Sequence, residues 1–255
     1  MDALSAIAVL FVLALLRYIP AVVLPGMSPL TWAPGTVRIV LAMALACLTV
    51  LATGDLSAVA WIDGPVPLAV AAMHELMIGF AFGLVVMIPQ AALHSAGWLM
   101  DIQAGLGAAT LFNPGSQGDA QSLLGTALML LATVLFFLLD LHVELYRVMV
   151  ASVQVLPLGG HAGKLQLSGV MDLLGNSFLF ALIVVAPVVL GLFAVDIGVG
   201  YATRSMPQAN VYFLVLPLKI GMAILLLAAT LPFVPGMIER LYRDAFARLP
   251  TLLGA

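Results

Sequence analysis

Charged side chains are scarce in this chain. Lys, Arg, Asp and Glu make up 8% of its 255 residues, against about 25% in a typical soluble domain. The net charge of −3 is small and unclustered, which gives no support to nucleic-acid binding. Cys47 is the single cysteine, so it forms no internal disulfide, and in the apolar run 39–51 we expect a packed core thiol. With 64% hydrophobic residues, the composition indicates an integral membrane protein or the core of a membrane assembly.

Motifs for nucleotide binding and hydrolysis are absent from the sequence. It contains no Walker A loop, no G-x-G-x-x-G fingerprint and no G-x-S-x-G elbow. His74-Glu75 begins like a zinc-protease helix, but Ile78 stands where that motif needs a second histidine. No pair of histidines has metal-ligand spacing. We therefore expect no enzymatic activity, no metal and no cofactor.

Six apolar runs cover most of the chain. Because only helices and closed barrels satisfy the backbone in lipid, and barrel-type alternation is missing, we expect an all-α fold. The third run would span about 60 Å as one helix, against a hydrocarbon core of about 30 Å. Pro89, Pro187, Pro217 and the polar stretch 140–147 interrupt the long runs, so helical hairpins, kinked helices and helices standing partly outside the bilayer are all possible. The runs are Ala3–Leu24, Gly35–Thr53, Val66–Ala104, Ala120–Leu156, Ser168–Arg204 and Asn210–Leu249.

Several charged residues lie within these runs or at their edges. A charge at the bilayer centre costs at least about 2.5–3.5 kcal/mol, so such residues face protein or water. One interpretation is a proton-coupled transporter that uses Asp101, Asp140 and Asp196 as a relay. The other is a set of structural charges shielded by partner subunits, and because acids outnumber bases we expect some of their partners in other chains. The residues are Glu75, Asp101, Asp140, Glu144, Asp172, Asp196 and Lys219.

A glycine-rich segment, residues 105–119, separates the third run from the fourth. It has four glycines, one proline and no Lys or Arg. Loops longer than about 12–15 residues without structure of their own are usually functional or disordered. Leu111 and Phe112 at its centre argue against a merely solvated linker. An ordinary interhelical loop and a functional segment are both open at this point.

The last third of the chain carries a longer motif. It reads Asp196-Ile-Gly-Val-Gly-Tyr-Ala-Thr-Arg204-Ser-Met-Pro207-Gln208-Ala-Asn210, followed by Pro217-Leu-Lys219. This resembles a stretch of the FliR/SctT family of type III secretion export-gate proteins, with Val199 where Leu is usual. Arg17, Glu75-x-x-x-Gly79-x-x-x-Gly83 and Asp101-Ile-Gln103 are similar to upstream motifs of the same family. The Gly79-x-x-x-Gly83 spacing also favours close helix packing.

The resemblance implies a single export-gate domain over residues 1–255, with a FliP-like part (1–156) and a FliQ-like part (157–255). It implies one copy in a hetero-oligomer with FliP-like and FliQ-like subunits, near FlhB-like and FlhA-like components, through which unfolded export substrates pass. The expected location is the bacterial inner membrane. Asp140-Leu-His142 and Pro157-Leu-Gly159 lean toward the flagellar basal body, although Leu141 departs from the usual Gly; a virulence injectisome is the alternative.

Two sets of site residues follow from the resemblance. By position, the segment 105–119 corresponds to a plug in the closed pore: Gly105, Leu106, Gly107, Ala108, Ala109, Thr110, Leu111, Phe112, Asn113, Pro114 and Gly115. Ala108 stands near where the family often has larger aromatics, so the occluding bulk is expected from Leu111 and Phe112 or from partner residues. The polar residues expected to serve assembly or structure are Arg17, Glu75, Asp101, Gln103, Asp196, Arg204, Gln208, Asn210 and Lys219.

Overall fold

A computed structural model describes residues 3–23, 26, 28–53, 59, 61–62, 64–106, 122–160, 165–205 and 211–253. In these ranges all regular structure is helical, which confirms the predicted all-α fold. Two short 3-10 turns, Pro29–Trp32 and Leu231–Phe233, accompany the α-helices. The helices are α1 (Ala3–Val22), α2 (Gly35–Thr53), α3 (Pro65–Ala104), α4 (Leu123–Leu138), α5 (Leu141–Val155), α6 (Leu167–Ser205), α7 (Val211–Thr230), α8 (Val234–Ala247) and α9 (Leu249–Leu253).

Helix α3 is the central element of the fold. Its 40 residues extend over about 60 Å, and α1, α4 and α6 make their most extensive contacts with it. Pro65 begins it, where a missing N–H costs nothing, and Gly105 ends it in the left-handed conformation at φ 80°. Pro89 lies inside the helix without ending it, as prolines in apolar membrane helices commonly do.

The fourth and sixth apolar runs divide into several helices. Helices α4 and α5 meet at an angle of 67°, with the break at the first residue of the polar stretch 140–147. Asp140 has φ 55°, a left-handed conformation that Asp and Asn adopt more readily than most residues. The last run breaks at the 3-10 turn Leu231–Phe233, whereas Pro187 and Pro217 lie inside continuous helices.

Much of the apolar surface is exposed in the isolated chain. Among the described residues, five stretches are long and apolar enough to cross a membrane, or six if α4 and α5 form one broken span. Leu51 on α2, Leu190 on α6 and Leu225 on α7 are 75%, 66% and 62% exposed. Surfaces of this kind mark contact with membrane or with other protein. Cys47 belongs to this surface, so the prediction of a packed core thiol was wrong.

Glycines allow two pairs of helices to touch backbone to backbone. A Cβ at Gly79 would lie 2.6 Å from the Arg17 carbonyl oxygen, and one at Gly83 would lie 3.0 Å from the Pro20 carbonyl oxygen. The predicted packing role of Gly79-x-x-x-Gly83 is thus confirmed, with α1 as its neighbour. A second approach, at Gly97, brings α3 against the start of α4.

Candidate functional site: polar clusters along the central helix

Helix α3 carries buried polar side chains at three levels along its length. Glu75, Gln90 and Asp101 are 1%, 1% and 5% exposed. At 1.5 Å per residue, the three levels are about 22 Å and 17 Å apart. Because a buried polar group without a hydrogen bond is costly, the partners at each level determine which elements surround α3 there.

At the first level an ion pair joins α1 to α3. Arg17, with no exposed surface, donates from Nε to Glu75 Oε2 at 2.5 Å and from Nη2 to Glu75 Oε1 at 3.0 Å. It also donates to the Ser152 hydroxyl at 3.2 Å and to the Leu156 carbonyl at 3.0 Å. This bidentate geometry, with further acceptors for the guanidinium, is the arrangement in which a buried charge pair is fully satisfied.

The same pair holds the chain between α5 and α6. The Gly159 N–H donates to Glu75 Oε1 at 2.9 Å, and Gly159 has φ 76°, which favours glycine. A Cβ there would lie 3.2 Å from Ile62 Cδ1 and 3.3 Å from Leu13 Cδ1. The Arg17–Glu75 pair therefore lies at the predicted boundary between residues 156 and 157. Glu75 therefore has its cation within the chain.

The second level is a hydrogen-bond network that sequence reasoning missed. Tyr242 on α8 donates its hydroxyl to Gln90 Oε1 at 2.5 Å. Gln90 Nε2 donates to the Met129 carbonyl at 2.9 Å and to the Thr133 hydroxyl at 2.8 Å, both on α4. The available signal was the Gln90 amide between apolar neighbours in the middle of run 66–104. The network joins α3, α4 and α8 in the core.

At the third level Asp101 holds both flanks of the segment 107–121. Its backbone carbonyl accepts the Leu106 N–H at 3.0 Å, the bond that closes a Schellman motif after Gly105. Its carboxylate accepts the Ser122 hydroxyl at 2.6 Å and the Leu124 N–H at 3.1 Å. Ser122 in turn caps α4 by accepting the Gly125 N–H at 2.8 Å. Leu106 and Ser122 are therefore both bonded to Asp101.

The close approach of α3 and α4 positions the Asp101 carboxylate at the start of α4. A Cβ at Gly97 would lie only 2.3 Å from the Gly125 Cα, so the backbones touch one turn before Asp101. This contact brings the N-terminus of α4 to the buried Asp101 carboxylate. The first N–H groups of a helix have no partner within the helix, and its N-terminus is the positive end of the helix dipole, so both stabilise the carboxylate.

A second polar cluster fastens the same end of α3. Gln103 Nε2 donates to Asp196 Oδ2 on α6 at 2.9 Å, and Lys219 Nζ on α7 lies 2.7 Å from Asp196 Oδ1. Leu216 contacts Gly105 from α7, with its Cγ 3.6 Å from the position of a Cβ. Asp196 thus also has a cation within the chain.

The remaining predicted residues are not part of these clusters or lie outside the described residues. Arg204 is exposed in the last turn of α6. Gln208, Asn210 and the plug residues Gly107–Gly115 lie outside the described residues, so of the predicted plug only Gly105 and Leu106 have described positions. The described side chains include no group of three or more His, Cys, Asp and Glu placed to hold a metal ion.

Residues 8–245 match the sequence model of a family described as bacterial export proteins, family 1. The chain belongs to this family. The match covers nearly its whole length and includes all three polar levels of α3. The resemblance to type III export-gate proteins that was based on motifs is thereby confirmed.

Relatives in this family have been named for two export systems. The flagellar biosynthetic protein FliR of Escherichia coli (strain K12) is 27% identical over 183 residues, which cover 71% of this chain and 70% of the relative. FliR of Aquifex aeolicus (strain VF5) is 27% identical over 214 residues, 84% of this chain and 81% of the relative. The Yop proteins translocation protein T of Yersinia pestis is 31% identical over 159 residues, 60% of this chain and 59% of the relative.

Proposed function

We propose that this chain is a structural and gating subunit of a type III protein export gate, and that residues 105–119 plug its closed pore. Membership of a bacterial export family supports the export role. The attachment of both flanks of this segment to Asp101 is the observation that carries the gating role.

The geometry around Asp101 suits a plug because it fixes the base of the segment. Leu106 and Ser122 are both bonded to one buried residue, Asp101. The Gln103–Asp196–Lys219 cluster ties the same end of α3 to α6 and α7. A functional loop on a rigid scaffold is the arrangement by which proteins position such segments.

The composition of the segment suits occlusion of a narrow pore. Leu111 and Phe112 are bulky and apolar, and hydrophobic constrictions close channels by excluding water. Gly105, Gly107 and Ala108 allow backbone to pack closely. Since Ala108 stands where the family often has a larger aromatic, the occluding bulk here is supplied by Leu111 and Phe112 or by partner residues.

The role we propose is non-enzymatic and requires other subunits. The exposed apolar faces of α2, α6 and α7 offer contact surface for FliP-like and FliQ-like chains in the bacterial inner membrane, next to FlhB-like and FlhA-like components. We favour the flagellar basal body, on the relatives named FliR. The second candidate is the equivalent subunit of a virulence injectisome, which the 31% identity to Yop proteins translocation protein T supports.

The transporter alternative is less consistent with the positions of its three acids. Asp101 accepts hydrogen bonds at the start of α4, and Asp196 is paired with Lys219. Asp140 lies at the α4–α5 bend, outside both clusters. These residues serve separate helix junctions, which favours the structural interpretation of the charges over a relay.

The plug is tested by removing its occluding bulk while its length is kept. In the assembled complex, the double variant Leu111→Ser/Phe112→Ser should raise the leakage of small ions across reconstituted membranes, with assembly intact. The matched control is Thr110→Ser/Asn113→Ser, which changes two neighbouring polar residues and should not leak. Deletion of residues 111–115 should leak at least as much. Unchanged leakage in an assembled complex would show that the segment is an ordinary loop.

A further inference from the structure

The C-terminal end of α6 extends beyond the end of α3. Phe178 lines a groove with the middle of α3, and Asp196 bonds to Gln103, so the two helices run in the same direction. Helix α6 continues for nine residues beyond Asp196, about 14 Å, whereas only one residue of α3 follows Gln103. We call residues 197–205 of α6 and 211–216 of α7 the projecting end.

Little packing holds the projecting end in place. Among the described side chains, Leu192 is the last buried residue of α6 and Ala223 is the first of α7. Gly198 and Gly200 have no atom within 4 Å of a Cβ position, and glycine inside a helix weakens it. Segments with few buried contacts open locally more readily than the core. The position of the projecting end therefore depends on the few contacts at its base.

Two contacts at this base attach α7 to the end of α3. Lys219 Nζ lies 2.7 Å from Asp196 Oδ1, and Asp196 Oδ2 accepts the Gln103 amide at 2.9 Å. Leu216 covers Gly105, with its Cγ 3.6 Å from the position of a Cβ. One contact is polar and the other apolar, and both reach the residues that end α3.

Pro217 lies between these two contacts on α7. A proline has no N–H to donate, so the helix lacks one backbone hydrogen bond there, and prolines are the usual points at which helices bend. Leu216 precedes the proline and Lys219 follows it. A bend at Pro217 would therefore move Leu216 relative to Lys219 and away from Gly105.

We propose that Lys219 is a positioning residue for the C-terminal end of α3, residues 102–106, and that motion of the projecting end loosens this segment. The lysine fixes the Asp196 carboxylate, and the carboxylate fixes Gln103. When the pair separates, Gln103 loses its fixed acceptor and α7 is free to leave Gly105. Under the function proposed above, this segment is the base of the plug, so the projecting end controls the plug; the coupling itself does not depend on that function.

Two backbone amides report on the end of α3. The Gly105 N–H donates to the Ile102 carbonyl at 3.1 Å, and the Leu106 N–H donates to the Asp101 carbonyl at 3.0 Å. Hydrogen exchange in the assembled complex, followed by mass spectrometry of peptides that contain both amides, measures how often these bonds open. Lys219→Met should accelerate their exchange about three- to tenfold, the range for one partly exposed charged hydrogen bond.

Three comparisons make the measurement specific. Lys219→Arg keeps the charge and should retain most of the protection. Arg204→Met removes an exposed cation of the projecting end and should leave exchange unchanged. Exchange in residues 71–82 of α3 should stay the same in Lys219→Met. This variant should fold, because the Asp196 side chain is 39% exposed and water solvates its charge when the lysine is lost.

The path through Gln103 is tested by a double-mutant cycle. Gln103→Leu should accelerate exchange at Gly105 and Leu106 about as much as Lys219→Met does. Because the two residues act through one carboxylate, the double variant should exchange little faster than either single variant. Additive effects would show that Lys219 acts without Gln103 and would overturn the proposal.

Two other results would also overturn it. Unchanged exchange in Lys219→Met would show that α7 does not position the end of α3. Equal acceleration in residues 71–82 would show a general loss of stability. The plug is decided separately by leakage: if Leu111→Ser/Phe112→Ser does not leak, accelerated exchange confined to the end of α3 in Lys219→Met still supports the coupling.

Discussion

Replacing Gly97 with alanine should force α3 and α4 apart at the point where Asp101 holds the segment 107–121. A Cβ at this position would lie 2.3 Å from the Gly125 Cα and 2.5 Å from the Gly125 nitrogen. Non-bonded carbon atoms prefer separations of about 3.5–4.0 Å. Both neighbouring atoms are backbone, so no side-chain rotation relieves the contact, and the two helices must separate by more than about 1 Å.

Three contributions set the size of the effect. Overpacking of this kind costs about 1–3 kcal/mol. Separation also weakens the bonds from Ser122 and Leu124 to the Asp101 carboxylate, and hydrogen bonds to charged groups are worth about 1.5–3 kcal/mol. Alanine gains back about 1 kcal/mol over glycine in helix propensity. The net loss of unfolding free energy is therefore about 1.5–5 kcal/mol.

The matched control is the same substitution where the structure leaves space. Gly175 on α6 has no atom within 4 Å of a Cβ position, so Gly175→Ala should be neutral or stabilising by up to about 1 kcal/mol. Both variants of the full chain are compared with the unchanged protein by denaturant unfolding in one detergent. If Gly97→Ala is as stable as Gly175→Ala, the backbone contact between α3 and α4 is refuted.

Two further substitutions test the other levels of α3. Arg17→Met leaves the Glu75 carboxylate buried without its cation and should lower the free energy of unfolding by about 3–5 kcal/mol in the same assay. The control Arg204→Met, at an exposed position, should change it by less than about 0.5 kcal/mol. Equal effects of the two substitutions would contradict the buried pair. Tyr242→Phe keeps the ring but removes the donor to Gln90, and should cost about 1–2 kcal/mol. No loss in Tyr242→Phe would show that this hydrogen bond contributes nothing to the fold.

The sequence was sufficient to predict the helices but not all their ends. Hydrophobic run length and the missing alternation led to the all-α fold, and the polar stretch 140–147 marked the bend that begins at Asp140. For Pro187 and Pro217 the sequence left helix breaks and kinked helices both open, and the structure places both prolines inside continuous helices, because a proline in an apolar helix does not have to end it. The end of α7 was missed although Thr230 precedes the 3-10 turn Leu231–Phe233, Pro232 lies within it, and Pro235-Gly236 follows.

Pairing between charges was the least predictable property. Arg17 and Glu75 are 58 residues apart in sequence, and only the packing of α1 on α3 brings them together. The motifs of the sequence include Gln103, Asp196 and Lys219, but nothing in the sequence shows that they contact each other. Composition counts acids and bases without geometry, which is why it suggested partners in other chains.

The three polar levels of α3 also restrict how this helix can move. Close packing already restricts the position of a helix in a protein interior, and directional hydrogen bonds to fixed partners restrict its rotation and its position along the axis further. A shift of α3 by one residue along its axis would turn it by about 100° and remove Glu75, Gln90 and Asp101 from their partners together. Helix α3 therefore has one rotation about its axis and one position along that axis in this fold. A motion that opens the proposed pore must leave α3 in place or carry α1, α4 and α8 with it as a single rigid body.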